Sequence, residues 1–140
     1  MGVFAMLISL SSFAHPGEVS EQVLQAFNKD FAGAQDVNWE NSKNMLKATF
    51  KLNGQIMFAY YEEQGELLAA TRNITPAQLP ISLLADLKKN QQDFWITDLF
   101  EISSDGTTSY FLTLQNADQT VILKSNAGLN WQTYRKLKTL

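Results

Sequence analysis

The sequence predicts an α+β fold, with two helix-plus-antiparallel-sheet units in tandem forming one domain and the helices packed on one face of the sheet. Three observations lead there. Two stretches place apolar residues at helical spacing, several others alternate apolar with polar residues, and the order of elements reads as a helix then four strands, twice. A chain of 140 residues favours one continuous core, because units well below about 100 residues are marginal alone.

Taken in order, Glu18 to Phe31 carries Val19, Val23, Phe27 and Phe31 at i, i+4 spacing, which predicts a helix with one buried face. Ser20 is its expected N-cap, Val19 and Leu24 its hydrophobic staple, and Gly33 its stop. Val37 and Trp39 then alternate with polar neighbours, and Leu46, Ala48, Phe50 and Leu52 alternate with Lys47, Thr49 and Lys51. Asn53-Gly54 turns the chain back into Ile56 to Glu62, and Gln64-Gly65 turns it again into Leu67 to Arg72. Pro80 to Lys89 predicts a second helix with Ile81, Leu84 and Leu87 on its inner face. Trp95 to Ile102, Tyr110 to Gln115, Thr120 to Lys124 and Asn130 to Leu137 complete the strands, with turns at Asp105-Gly106, Asn116 to Asp118 and Asn126 to Gly128. One fixed offset aligns Leu24 with Leu87, Asn53 with Asn116, Gly65 with Gly128 and Arg72 with Arg135, which predicts pseudo-repeats over about 18–73 and 80–137.

Residues 1–14 form an uncharged apolar run closing on Ser12-Phe13-Ala14, the pattern of a signal peptide with cleavage after Ala14. The run is shorter than the roughly 20 residues a transmembrane helix needs, so no stable membrane insertion is expected after cleavage. No Lys or Arg precedes it, which departs from the signal pattern and suggests a start truncated upstream. Residues 15–140 are the expected mature domain, in the periplasm or outside the cell. The absence of cysteine excludes disulfides, thiol nucleophiles and cysteine-ligated metals. A net charge of −3 with scattered Lys and Arg gives no footprint for nucleic acid.

Which side chains face outward depends on the turn at Asn53-Gly54. A two-residue type I′ turn would set Leu52 opposite Gln55 and put Phe58 and Tyr60 beside Lys47 and Lys51. A three-residue bulged turn would instead join the apolar sets of both strands. The second alternative gives an inner face of Leu46, Ala48, Phe50, Ile56, Phe58, Tyr60, Leu68 and Ala70, continued by Leu112, Leu114, Val121, Leu123 and Trp131. The expected partner-binding face is then the opposite one, represented by Lys47, Met57, Tyr61, Phe111, Lys124 and Tyr134, a mixture of cations and large side chains suited to a protein interface.

Candidates for chemistry are few. The one histidine, His15, sits at the expected cleavage junction, so no His-based triad or multi-histidine metal site can be assembled. Glu62 and Glu63 flank a turn and read as solvated charges, Asp98 and Glu101 are a second carboxylate pair, and Asp105-Gly106 lacks the spaced ligands of a calcium loop. Asn73-Ile74-Thr75 matches a glycosylation sequon, a short pattern common by chance. Trp39 and Trp131 fall on inner positions and read as core, while Trp95 has no assigned side. No catalytic residue, cofactor site or metal site is predicted, and the chain is expected not to be an enzyme.

The stretch 26–34 (AFNKDFAGA), running into Val37-Asn38-Trp39-Glu40, resembles the opening of the PepSY-like secreted proteins of Bacteroidetes. Ala59-Tyr60-Tyr61-Glu62, Gly65-Glu66-Leu67-Leu68, Arg72 and Leu79-Pro80 continue the resemblance, which spans most of 18–140 and is stronger in the first half. It implies a periplasmic domain similar in fold to the β-lactamase inhibitor protein, with tandem helix-plus-sheet units whose concave sheet face grips a partner, and an association with peptidase regulation. These motifs are structural and bring no catalytic residues. The function expected is a periplasmic or secreted binding module, an inhibitor or regulator of an envelope protein or peptidase, acting on another protein or peptide through a sheet face. The alternative is a small-molecule or envelope-component sensor with its ligand between sheet and loops, which a pocket lined by Tyr61 and Tyr134 would favour.

Overall fold

The computed structural model describes residues 19–90, 93–126 and 130–138. The leader, its cleavage site, His15 and the Asn126 to Gly128 turn fall outside or at the border of these residues. The chain runs as α1 (Glu21–Asp30), β1 (Gln35–Ser42), β2 (Met45–Leu52), β3 (Gln55–Tyr61), β4 (Leu67–Asn73), a 3-10 turn at Pro76–Gln78, α2 (Ile81–Asn90), β5 (Trp95–Ser104), β6 (Thr107–Gln115), β7 (Gln119–Asn126) and β8 (Gln132–Lys138). Ser20 caps α1, its Oγ accepting the Val23 amide at 3.3 Å and so satisfying one of the orphan donors of the first turn.

The expected pair of tandem helix-plus-sheet units is not what forms. All eight strands make one antiparallel sheet in the order β1 to β8. The decisive contact is β4 with β5, where Ala70 pairs with Ser103, Thr71 with Ile102, Arg72 with Glu101 and Asn73 with Phe100. The connector between the expected halves, with its 3-10 turn and α2, therefore acts as a long crossing between neighbouring strands and leaves no break in the sheet. Strand dominates the fold, since eight strands of 7 to 10 residues accompany two helices of 10. Sequence periodicity shows that segments alternate, but not which edges meet.

Both helices cover the same side of that sheet. Val23 and Phe27 of α1 pack with Leu46, Ala48, Phe50, Ala59 and Tyr61, and Leu83 and Leu87 of α2 pack with Leu99, Tyr110, Leu112, Leu114, Val121 and Leu123. Between these two cores the same side carries Ala70, Arg72, Glu101 and Ser103 on β4 and β5. Here Arg72 Nε donates to Glu101 Oε1 at 2.8 Å, Arg72 Nη1 to Gln55 Oε1 at 3.1 Å, and Tyr110 Oη to Glu101 Oε2 at 3.3 Å. A charged pair flanked by apolar cores needs such partners, because burial without them is costly.

Two expected placements change. Ile81 is 85% exposed, while Leu83 and Leu87 are buried. Two residues back from Leu83 lies the far side of a 3.6-residue helix. The turn at Asn53-Gly54 is the two-residue form, with φ of 53° and 79° and Leu52 opposite Gln55. Asparagine tolerates the left-handed region and glycine is free to enter it, so the pair adopts the type I′ turn that matches strand twist without a bulge.

The candidate functional site on the open sheet face

That turn sets the register Lys51 to Ile56, Thr49 to Phe58 and Lys47 to Tyr60, all on the side away from the helices. Phe50 with Met57, Ala48 with Ala59 and Leu46 with Tyr61 lie on the helix side. Of the six expected face residues, Lys47, Phe111, Lys124 and Tyr134 are on the open side, and Met57 and Tyr61 are not. Conversely Ile56, Phe58 and Tyr60, expected inside, stand on the open face. A bulged turn here would exchange the two sides of β3, as any one-residue slip must.

The open face holds two groups of aromatic side chains, each with a lysine over it. In the first, Lys47 Nζ lies 4.8 Å from the Phe58 ring centre and 6.0 Å from that of Tyr60. In the second, Phe100 stacks on Phe111 at 5.2 Å, Tyr134 meets Phe111 edge-on at 5.5 Å, and Lys124 Nζ lies 5.4 Å above Phe111. A cation over an aromatic face is attracted by the ring quadrupole. The lysines are thus held close to the sheet instead of extending into water.

Tyr134 owes its position to an irregularity: Ile122 pairs with Arg135 but Leu123 with Thr133, leaving Tyr134 as the extra residue of β8. It is 61% exposed, and Ile56 is 52% exposed. At the other edge β1 is also irregular between Gln35 and Asn38, with Asp36 at φ 54°. Such irregular edges discourage strand-to-strand pairing with another chain. Sequence reasoning missed Ile56, Phe58, Tyr60 and Phe100 as members of this face. The signal for the first three was Asn53-Gly54 itself, the doublet that most favours a two-residue hairpin.

Tyr61 belongs instead to the core beneath α1. Its side chain is fully buried, and its hydroxyl donates to Asp30 Oδ2 at 2.8 Å. Burial first, then the hydrogen bond to the Asp30 carboxylate and its charge, push the phenol well above the ordinary tyrosine value of 10.0. A raised folded-state pKa means that the native protein holds this proton more tightly than the unfolded chain. The stability it contributes is complete below the unfolded value of about 10 and is lost as pH rises toward the folded value. Tyr61→Phe is accordingly expected to lower stability by about 1 kcal/mol at pH 7 and to reduce the loss of stability in alkali. Denaturant melts at neutral and alkaline pH check both effects.

With Tyr61 on the helix side and Tyr134 on the open side, no pocket can be lined by the two together, which removes that support for a ligand enclosed between sheet and loops. Trp39 and Trp131 are half-buried against the α1 and α2 cores, and Trp131 Nε1 donates to the Leu83 carbonyl at 3.1 Å. Trp95 is 55% exposed and pairs with Gln115 at one end of β5. Asp98 accepts a hydrogen bond from Asn73 Nδ2 at 2.9 Å, and Glu101 is engaged by Arg72, so that carboxylate pair is divided between the two faces of β5. Among the described residues no helix is long and apolar enough to cross a membrane.

No family model and no curated protein matches the chain. Solved structures do resemble it. A BLIP-like protein from Bacteroides fragilis superposes with a TM-score of 0.74 at 15% identity, covering 89% of each chain. A presumed periplasmic protein from Bacteroides eggerthii gives 0.74 at 12% identity, over 87% of this chain and 90% of the other. A DUF2874 family protein from Bacteroides ovatus gives 0.74 at 12% identity, over 88% and 89%. At these identities the likeness is one of fold, and the eight-stranded sheet carrying two helices on one side is a BLIP-like fold.

Proposed function

We propose that this chain is a periplasmic or secreted binding module, an inhibitor or regulator of an envelope protein or peptidase, that seats a protein or peptide on the open face of its sheet and acts by binding, not by catalysis. The observation that carries the reading is the pair of lysine-capped aromatic groups on a face that neither helix covers. Large aromatic side chains supply contact area at low entropic cost and are enriched at the centres of protein interfaces. The apolar leader with its Ala14 site supports export, and kinship with the PepSY-like proteins, suggested by the core aromatics and turn glycines, fits the same setting.

Differential affinity capture from a bacterial envelope extract tests the reading, using residues 15–140 and the double variant Phe58→Ser, Phe111→Ser as baits. A protein or peptide retained by the native face and lost from the variant is the expected result, provided the variant still melts cooperatively. Equal recovery on both baits overturns the assignment of the face. Recovery of no specific protein, together with a reproducible thermal shift by a small molecule, overturns the binding of protein or peptide altogether.

A further inference from the structure

The charge of the open face opposes that of the molecule. The chain has a net charge of −3, yet the register sets Lys47, Lys51, Lys124 and Arg135 on this face against Glu40 and Asp98. Asp98 is engaged by Asn73, and neither Lys47 nor Lys124 is ion-paired among the described residues. Arg72, on the helix side, does have its carboxylate in Glu101.

Their arrangement is ordered as well as cationic. One row crosses the sheet from β2 to β7: Lys51 pairs with Ile56, Asn73 with Phe100, Phe100 with Phe111 and Phe111 with Lys124, and Ile56 and Asn73 each stand one position beyond the Met57–Arg72 pair that joins β3 to β4. Between the ends stand three apolar or aromatic residues, Ile56, Phe100 and Phe111, and one polar residue, Asn73, whose amide is engaged by Asp98, and a lysine stands at each end. Five strand spacings make the row about 24 Å long, the reach of roughly seven extended residues. From this complementarity we propose that the segment docked on the open face is an acidic stretch of polypeptide, apolar or aromatic at its centre with carboxylates toward both ends. This rests on the reading of the open face as the binding surface. Four cations offset by two carboxylates are too few and too dispersed for an anionic membrane, which is recognised by dense basic clusters.

Selection of a random peptide library on immobilised residues 15–140 tests the proposal, with counter-selection on the Phe111→Ser variant. Enrichment of sequences rich in Asp and Glu around an apolar or aromatic residue is expected. Replacing their carboxylates by amides should weaken binding about tenfold or more, and Lys51→Gln or Lys124→Gln about fivefold each, with the whole effect reduced by salt. Neutral or basic peptides that still need Phe111 overturn the acidic partner and leave the binding face standing. Peptides that ignore Phe111→Ser remove both readings. Binding to phosphatidylglycerol vesicles with no peptide enriched overturns the proposal in favour of a lipid surface, and enrichment of nothing on either bait overturns it outright.

Discussion

Phe27→Ala is expected to destabilise the protein by about 3–5 kcal/mol, a large part of the roughly 5–15 kcal/mol that holds a typical domain folded. Phe27 is 3% exposed and is the common neighbour of four other rings. Its centre lies 4.9 Å from Phe50, 5.3 Å from Trp39, 5.5 Å from Phe31 and 6.3 Å from Tyr61, tilted toward Phe31 and edge-on to the other three. Alanine removes the ring and leaves a cavity between α1 and the sheet that these rigid neighbours cannot collapse to fill. Urea denaturation measures the loss as a lower midpoint.

The shape of that transition carries further information. The α1 core and the α2 core are separated by the Arg72–Glu101 seam, yet the backbone pairing of β4 with β5 is uninterrupted from Ala70 to Asn73. If the continuous sheet couples the cores, Phe27→Ala lowers the midpoint of a single transition. The slope with denaturant stays unchanged, since the same surface is exposed on unfolding. Two separated transitions would mean that the seam, and not the sheet, decides cooperativity.

Most of the elements were legible in the sequence, because each rests on local patterning. The i, i+4 apolar stripe of 19–31 and the alternation of 46–52 produced α1 and β2 close to their observed bounds, and Ser20 capped as its position implied. Relations between elements were less legible. The two-unit expectation followed from the order of elements, but the joining of β4 to β5 is a tertiary fact that no local period encodes.

The candidate face turned on a single choice of turn. Alternation alone gives β3 two apolar sets, Ile56, Phe58 and Tyr60 or Met57, Ala59 and Tyr61, and hydrophobicity does not decide between them. Conformational chemistry does: Asn53 and Gly54 both occupy positive φ, and a two-residue turn there places Ala59 and Tyr61 in the core. Small Ala48 and Ala59 pair directly across β2 and β3, making room beneath α1 for the large rings beside them. That fit between small and large residues decides burial on β3 where hydrophobicity alone does not.

Gly65→Ala should cost about 2–4 kcal/mol, combining backbone strain with a collision against α1. Gly65 sits at φ 96°, beyond the left-handed basin that side chains tolerate, and a Cβ there would lie 3.0 Å from the Gln22 carbonyl oxygen and 3.3 Å from its carbon. The neighbouring contacts make this a junction between helix and sheet. Gly65 N donates to the Glu62 carbonyl at 3.0 Å, Glu62 N to the Glu66 carbonyl at 3.0 Å, and Ser20 Oγ to the Glu63 carbonyl at 3.4 Å. The turn is thereby fastened to the start of α1, so an added methyl must part the two or distort both. Gly54→Ala supplies the comparison, since Gly54 also has positive φ, at 79°, but nothing within 4 Å of its absent Cβ. It should cost only the left-handed penalty of about 1–2 kcal/mol. The difference between the two variants in denaturant melts isolates the helix contact, and equal costs would show that α1 yields freely to the turn. Because α1 lies on the covered side of the sheet, Gly65→Ala should leave partner binding by the still-folded fraction unchanged, separating the stability of this fold from the surface through which it acts.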